Sequence, residues 1–261
     1  MEFRVGGVPR GLRVFISGGA AGIGRTIADM LVAHGARVHV TDVSDEALAD
    51  FTSAHPDHAA SKADVSDEGR MEQVFRRIGA DWGGLDALVN NAGIAGPTGG
   101  VEEISVEDWR RCIDVGLTGQ FICAHFAVPM IKQAGGGAIV NMSSAAGRFG
   151  YAFRTPYSSA KWGVIGLTQS LAKELGPDNI RVNAILPGII EGPRMENVIA
   201  ARARQVGVSH DEMKKTYLER VSMRRMTPQA DIAAMATFLL SDMGRNLSGQ
   251  SFGVDGNVEA L

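Results

Sequence analysis

Residues 14–31, VFISGGAAGIGRTIADML, pass from an apolar strand-like run into a helical pattern through a glycine-rich turn. Gly18, Gly22 and Gly24 stand directly after the strand and at the start of the helix. Glycine permits a tight turn and lets main-chain amides approach a pyrophosphate, which the N-terminus of a helix stabilises. The stretch therefore predicts a dinucleotide-binding turn. A turn that only packs a helix against a sheet is the alternative.

Short apolar runs alternate with longer helical patterns along the rest of the chain. The runs are LRVFIS, ARVHVT, LDALVN, GAIVNMS, IRVNAIL and QSFGVD. Strands of this kind, separated by helices, are typical of a parallel sheet that helices cover on both faces. The chain has 261 residues, 45% of them hydrophobic, and no shift in composition marks a boundary. We expect a single α/β domain over residues 1–261, with a doubly wound, Rossmann-type parallel sheet.

The second predicted strand ends in Asp42, at the position where dinucleotide-binding folds contact the adenosine ribose. A carboxylate there accepts hydrogen bonds from the ribose hydroxyls and repels a 2′-phosphate. Neither Ala21 nor Val43 supplies the positive charge that a 2′-phosphate needs. The sequence therefore predicts NAD rather than NADP as cofactor. An exposed acidic residue at a strand end is the alternative.

Charge and composition exclude several other classes of function. The net charge is −3 and no Lys/Arg block with interleaved aromatic residues occurs, so no nucleic-acid partner is expected. The absence of an apolar leader and of a run of about 18 apolar residues predicts a cytoplasmic protein with no membrane partner. Cys112 and Cys123 lack a CxxC or Cys/His pattern and are expected to be small buried side chains. The histidines are scattered, and no metal is expected.

The segment TPYSSAKWG, residues 155–163, places Tyr157 and Lys161 four residues apart in a helical pattern. Positions i and i+4 share one face of a helix, so the phenol and the ammonium lie side by side. A phenol with an ordinary pKa of about 10 is a poor base at neutral pH, and an adjacent positive charge lowers that pKa. The spacing alone also fits an exposed structural pair.

Six motifs follow one another in order over about residues 11–257. They are SGGAAGIG, the Asp64-Val65 pair, NNAG at residues 90–93, NMSS ending at Ser144, YSSAK and LPG. Together they resemble the motif series of classical short-chain dehydrogenases/reductases. The resemblance implies that Tyr157 is the general acid/base and that Lys161 lowers the pKa of Tyr157 and hydrogen-bonds the nicotinamide ribose. It implies that Ser144 holds the substrate oxygen; Ser144 is a poor nucleophile candidate, because no motif positions a histidine or carboxylate to activate it.

The resemblance also implies a set of cofactor contacts at the ends of the strands. Asp64 and Val65 flank the adenine, with the carboxylate near the adenine amino group. The main chain of Ile190 reaches the nicotinamide carboxamide. The implied set is Gly18, Gly22, Ile23, Gly24, Asp42, Asp64, Val65, Asn90, Asn91, Ala92, Gly93, Tyr157, Lys161, Pro187, Gly188 and Ile190.

Two positions depart from the family pattern. Gly116 stands where the family usually has an asparagine that holds a helix bend and, through its carbonyl, a water linked to the active-site lysine. Gly116 keeps the carbonyl but loses the amide, so we expect the proton relay to survive through backbone and water on a looser helix. Gly192 stands where the family often has a threonine hydroxyl that contacts the cofactor. Cofactor identity is therefore better defined by the sequence than cofactor affinity.

Residues 192–225 form a polar helical insertion after the strand that ends near Leu186. Insertions there lie at the carboxyl ends of the strands, where open α/β sheets bind ligands, so we expect a substrate lid. The insertion has eight Lys/Arg and four Asp/Glu, and Arg148 and Arg154 precede Tyr157. This balance favours an anionic or strongly polar alcohol as substrate. A solvated lid is the alternative. Aromatic residues at positions 149, 151 and 153 leave apolar alcohols open.

The combined prediction is an NAD-dependent alcohol or sugar dehydrogenase that acts on a polar, anionic or sugar-like alcohol. A non-catalytic NAD-binding regulatory protein is the alternative, which Gly116 alone favours. An enoyl reductase is disfavoured, because that chemistry typically pairs a tyrosine and a lysine at wider spacing. The segment LSGQSFGVDGN resembles the family's last strand, which implies a homotetramer.

Overall fold

Seven parallel strands form one sheet in the computed structural model, which describes residues 7–260. The strands are β1 (Arg13–Ser17), β2 (Arg37–Asp42), β3 (Ala59–Lys62), β4 (Ala87–Asn90), β5 (Gly137–Met142), β6 (Ile180–Pro187) and β7 (Ser251–Val254). Their order in the sheet is β3-β2-β1-β4-β5-β6-β7. Strands β1 to β3 are added toward one edge of the sheet and β4 to β7 toward the other, so the strand order reverses between β1 and β4. Open α/β sheets form a ligand crevice at such a point.

The helices cover the two faces of this sheet. They are α1 (Gly22–Ala33), α2 (Asp45–Ala54), α3 (Glu68–Trp82), α4 (Val106–Ile113), α5 (Gly119–Gln133), α6 (Thr155–Leu175), α7 (Pro193–Val206), α8 (His210–Glu219) and α9 (Gln229–Leu240). On one face α1, α2 and α9 pack in the core with Ile16 of β1. On the other face α3, α5 and α6 pack in a second core with Phe15. Successive β1 side chains thus point into opposite cores, as the period of a strand requires.

The predicted doubly wound parallel sheet and single domain are confirmed, and one strand was missed. This strand, β3, is four residues long and pairs only with β2 at the edge of the sheet. Its sequence, AASK, is half-buried or exposed, because an edge strand has only one neighbour. Apolar periodicity therefore could not reveal it.

The carboxyl ends of the central strands lie level with one another. Ser17 pairs with Thr41 of β2 and with Asn90 of β4, and Asn90 pairs in turn with Asn141 of β5. Because the strands are parallel, the loops that follow them open on one common edge. The sequence motifs after four different strands therefore meet at a single cleft.

The helical stretch Val106–Gln133 is long and apolar enough to cross a bilayer, with a mean hydropathy of 1.2 in its most apolar window. Half of that window is buried, and Cys123 and Ala127 pack in the core of α3 and the sheet. The stretch is therefore a core helix. Cys112 and Cys123 are both free and buried, which confirms the prediction that they are small buried side chains.

Candidate active site

A cavity of about 480 Å³ lies along the carboxyl edge of the sheet and extends under α7 and α8. Nearly all the predicted site residues line it, from Gly18 at the end of β1 to Ile190 after β6. Gly24 and Asn90 are the two predicted cofactor-contact residues that do not. Both lie behind the cavity wall, where they pack rather than face the opening.

Gly24 determines how closely α1 approaches the turn that precedes it. A Cβ at this position would lie 2.1 Å from the carbonyl oxygen of Gly18 and 2.5 Å from Nδ2 of Asn91. Asn91 Nδ2 donates to that same Gly18 oxygen at 2.8 Å. Gly24 therefore serves close packing, and Asn91 ties the glycine turn to the end of β4. Asn90 is fully buried and donates to Asn141 Oδ1 at 2.9 Å.

The N-terminus of α1 is open toward the cavity. Its N-cap residue, Ala21, makes no side-chain capping hydrogen bond, and the first turn carries no acidic residue. By contrast, Ser44 and Asp67 cap α2 and α3 through their side chains. Gly22 has φ +55°, and a Cβ there would meet no protein atom within 4 Å. Free amides and this cradle together fit a pyrophosphate.

Two acidic residues line the cavity where the neighbouring strands β2 and β3 end. Asp42 Oδ1 accepts from the amides of Val43 at 2.8 Å and Ser44 at 3.2 Å, which fixes the carboxylate at the end of β2. Asp64 Oδ2 accepts from Arg111 Nη2 at 2.6 Å. Burial raises the pKa of Asp64, but the Arg111 hydrogen bond and contacts with Ser66 outweigh it and hold that pKa below its usual value. Sequence reasoning missed Arg111, since no local pattern links it to Asp64.

The opposite end of the cavity is formed by the chain after β6. The amide of Thr227 donates to the Ile189 carbonyl at 2.8 Å, and the Glu191 amide donates to the Thr227 carbonyl at 3.1 Å. Ile190, between these two bonds, has no main-chain partner among residues 7–260. A Cβ at Gly188 would lie 2.6 Å from Asp255 Cβ, so only glycine allows this approach. The main chain of Ile190 thus remains available to a carboxamide.

The start of α6 brings the predicted catalytic residues together. Tyr157 and Lys161 lie one turn apart and both line the cavity, as does Ser144 after β5. Ser143 Oγ donates to the Lys161 carbonyl at 2.7 Å, and Ser158 Oγ donates to the Ala146 carbonyl at 2.8 Å. These bonds fasten the first turns of α6 to the end of β5. The three side chains therefore share one wall.

The charges around Tyr157 favour its phenolate. Burial raises the pKa of Tyr157, and the positive charges of Lys161 and Arg194 oppose this effect. The Ser144 hydroxyl and the charge of Arg154 act in the same direction as the two cations. The pKa of Tyr157 therefore lies below its ordinary value. Burial lowers the pKa of Lys161, and the positive charge of Arg194 acts in the same direction. The negative charge of Tyr157 opposes both effects, but the pKa of Lys161 stays below its ordinary value.

A buried polar layer supports Lys161 from below. Lys161 Nζ donates to the Met142 carbonyl at 2.8 Å, and Gln120 Nε2 donates to the same oxygen at 3.1 Å. Gln120 Nε2 also donates to the Gly116 carbonyl at 3.3 Å, and Gly116 lies in the π-helical turn Asp114–Thr118 that joins α4 to α5. Sequence reasoning missed Gln120. Its position four residues after Gly116 was the available signal.

The end of the cavity beside Tyr157 is lined by side chains from three parts of the chain. Tyr151 and Arg154 precede α6, Arg194 starts α7, and Tyr217 lies on α8. The hydroxyls of Tyr151 and Tyr217 are 2.7 Å apart, which links the wall to the predicted lid. Arg148 is exposed, stacks on its neighbour Phe149 with its guanidinium carbon 5.1 Å from the ring centroid, and does not line the cavity.

The insertion 192–225 packs over this end in a third small core, which also includes Ala145, Ile189 and Val258. Ile199, Met213 and Tyr217 are buried in it, and Val221 pairs with Val258 near the end of the chain. Part of its charge is paired internally, since Lys214 Nζ lies 2.7 Å from a carboxylate oxygen of Glu196. Across residues 7–260, no cluster of three or more His, Cys, Asp or Glu side chains is arranged to bind a metal.

Comparison with known proteins agrees with this geometry. A family model described as enoyl-(acyl carrier protein) reductase matches residues 18–258. Trans-4-hydroxycyclohexanecarboxylate dehydrogenase of Sinomonas cyclohexanicum is 36% identical over 255 residues, which cover 94% of this chain and 92% of that protein. An uncharacterized short-chain type dehydrogenase/reductase of Sinorhizobium fredii is 34% identical over 258 residues, covering 95% of this chain and 98% of that protein. A solved structure of NAD+-bound xylitol dehydrogenase has a TM-score of 0.90 at 27% identity, covering 95% of this chain and 98% of that one.

These matches span nearly the whole chain, and the relatives are dehydrogenases, which supports an oxidoreductase. The ordered motifs lie on the matched residues. The chain belongs to the short-chain dehydrogenase/reductase family.

Proposed function

We propose that this protein is an NAD-dependent dehydrogenase that oxidises the carbinol carbon of a polar, anionic or sugar-like alcohol, and reduces the carbonyl in reverse. The observation that carries the proposal is the shared wall of Ser144, Tyr157 and Lys161, with the pKa of Tyr157 lowered. A base next to a hydride acceptor is what alcohol oxidation requires.

In this proposal the three side chains divide the work at the substrate oxygen. Ser144 holds the hydroxyl, and the phenolate of Tyr157 accepts its proton as the carbon–oxygen double bond forms. Lys161 stabilises that phenolate by its positive charge. Bound NAD supplies the acceptor for the hydride that leaves the carbinol carbon. In the reverse direction Tyr157 returns the proton to the carbonyl oxygen.

The proton on Tyr157 then needs a route to solvent. In this proposal Lys161 passes it on, and the Met142 carbonyl accepts from its ammonium at 2.8 Å. In this proposal the Gly116 carbonyl, which also accepts from Gln120 Nε2 at 3.3 Å, holds the water of the relay. The proposal thus keeps the family's relay through main chain and water although the usual asparagine is absent.

Three observations support NAD as the cofactor. The uncapped α1 N-terminus and the cradle at Gly22 fit a pyrophosphate. Asp42 places a carboxylate where the adenosine ribose lies in this fold, which disfavours a 2′-phosphate. The xylitol dehydrogenase of similar structure is NAD+-bound.

The substrate class follows from the lid and from the relatives. Residues 192–225 serve as a substrate lid that covers the catalytic wall. One relative is named for a hydroxycyclohexanecarboxylate and one structural neighbour for xylitol, so both an acidic and a sugar-like alcohol suit related clefts. The proposal also includes a cytoplasmic homotetramer, for which the edge strand β7 offers a pairing surface.

NADH formation by purified protein tests the proposal. The panel contains polyols, aldoses, hydroxy acids and sulfonated alcohols, with NADP as the comparison cofactor. The proposal predicts turnover of at least one polar alcohol with NAD. Normal NADH binding without turnover of any alcohol would instead support the regulatory alternative.

A further inference from the structure

Arg154 is a buried cation in the wall of the candidate active site. It is 3% exposed and lines the cavity. One of its terminal nitrogens donates to the carbonyl oxygen of Ala95, while its buried Nε has no acceptor among residues 7–260. Its guanidinium carbon lies 5.2 Å from the ring centroid of Tyr157 and 5.4 Å from that of Tyr151. The charge is thus held between two aromatic rings.

Arg154 forms no ion pair with an aspartate or glutamate in the part of the chain that the structure describes. Removing a charge from water is costly unless an opposite charge or several hydrogen bonds replace the lost hydration. One carbonyl and two ring faces are a weak replacement. The arrangement therefore indicates an anion that reaches Arg154 from the cavity.

Tyr157 itself is a competing partner, since its phenolate is an anion. The guanidinium, however, lies over the ring of Tyr157 and makes no hydrogen bond to its hydroxyl in the described structure. The contribution of Arg154 to the lowered pKa of Tyr157 is also the smallest of those acting on it. An anion that uses the N–H groups of Arg154 fits this geometry better.

A second cation lies across the same cavity. Arg194 is in the first turn of α7, whose N-cap, Gly192, supplies no side-chain hydrogen bond. Within the described chain Arg194 forms no ion pair, whereas Lys214 of the same insertion is paired with Glu196. Arg194 therefore adds a second positive charge to the lining of this cavity.

We infer that Arg154 binds a carboxylate of the substrate, which is a hydroxylated carboxylic acid with a short carbon skeleton between carbinol and carboxylate. This inference rests on the proposed function, because it places the carbinol at Tyr157. The planar fork of a guanidinium matches the two oxygens of a carboxylate. The rings of Tyr151 and Tyr217, whose hydroxyls are hydrogen-bonded to each other, provide the apolar surface for the carbon skeleton.

The test compares two alcohols that differ by the carboxylate, trans-4-hydroxycyclohexanecarboxylate and cyclohexanol. The quantity measured is the ratio of their kcat/KM values with NAD, so an effect common to both alcohols cancels. Arg154→Met is expected to lower this ratio by about 10- to 100-fold, mainly through the KM of the acid, as loss of a charged hydrogen bond does. Arg148→Met is the matched control, because Arg148 is exposed and outside the cavity. It is expected to leave the ratio unchanged.

A binding measurement makes the test independent of turnover. Cyclohexanecarboxylate has no hydroxyl, and its Kd for the NADH-bound protein is expected to rise by a similar factor in Arg154→Met and to stay the same in Arg148→Met. A Tm close to that of the wild type, measured for each variant, shows that it is folded. Arg154→Lys is expected to recover part of the affinity, because it restores the charge without the fork.

Two outcomes overturn the inference. One is an unchanged ratio and an unchanged Kd in Arg154→Met. The other is a wild-type protein that oxidises cyclohexanol or xylitol without any preference for the acid; this leaves the proposed dehydrogenase function intact. Failure of the proposed function is distinct, since it means no NADH from any alcohol, and the Kd comparison then still decides the role of Arg154.

Discussion

The two ends of the cleft are built in different ways. At the cofactor end, main-chain groups do most of the work, as at the open N-terminus of α1 and at Ile190. At the substrate end, side chains from separate elements meet, such as Tyr151 before α6 and Tyr217 on α8. The first end depends on backbone shape and the second on tertiary contacts. One end can therefore be general to a fold while the other is particular to one chain.

The largest expected effect concerns Tyr157, where the two ends meet. Tyr157→Phe removes the proton acceptor, so kcat for alcohol oxidation should fall by about 10²- to 10⁴-fold. Binding of NADH, followed by its fluorescence, should change little, since the cofactor end is intact. Substantial turnover in Tyr157→Phe would show that another group takes the proton.

Two glycine substitutions separate packing from cofactor binding at the α1 turn. Gly24→Ala forces a Cβ to 2.1 Å from the Gly18 oxygen, so the free energy of unfolding should fall by about 1–3 kcal/mol or more. Gly22→Ala meets no protein atom, so its cost in the free energy of unfolding is the backbone strain at φ +55°, about 1 kcal/mol, while its Cβ enters the cradle. Its main effect should be weaker NADH binding. Urea unfolding and NADH titration of both variants measure the difference, and equal effects of the two would contradict the assigned roles.

The choice of cofactor should shift when Asp42 is changed. Asp42→Ala removes the carboxylate that repels a 2′-phosphate, so the NAD/NADP ratio of kcat/KM should fall by about tenfold. Asp45→Ala is the matched control, because Asp45 is exposed and pairs with Lys62 at 2.5 Å. The same ratio in wild type and Asp42→Ala would remove Asp42 from cofactor selection.

The smallest effect is expected at Gly116. A Cβ there would lie 3.1 Å from the Ala160 Cβ. The side-chain amide of an asparagine would also compete with Gln120 Nε2, which donates to the carbonyl of residue 116. Gly116→Asn should therefore lower kcat by less than about tenfold and reduce Tm slightly. Gln120→Leu should have a comparable effect, since it removes a donor to the Met142 carbonyl beneath Lys161. A many-fold gain of activity in Gly116→Asn would mean that the native relay is deficient.

The difference between local backbone features and contacts between separate elements also determines what the sequence could predict. Glycine turns, strand ends and the i, i+4 pair of Tyr157 and Lys161 are local patterns, and the parallel order of strands brings them together. Arg111 beside Asp64, and Gln120 beneath Lys161, depend on contacts between elements that no local pattern encodes. Sequence reasoning also grouped Arg148 with Arg154, because nearness in the chain did not reveal that only one of them faces the cavity.

The central claim is that Lys161 and its neighbours make Tyr157 unusually acidic. The chain has three tyrosines, and burial together with the Tyr217 hydroxyl raises the pKa of Tyr151 above its ordinary value. An absorbance titration of tyrosinate should therefore show Tyr157 ionising below the ordinary pKa of about 10. Oxidation of alcohol should rise with pH through that same ionisation, because the phenolate is the base.

This early ionisation should vanish in Tyr157→Phe and move to higher pH in Lys161→Met, since loss of the ammonium raises the pKa of Tyr157. Identical titration curves for the wild type and Tyr157→Phe below pH of about 10 would contradict the account.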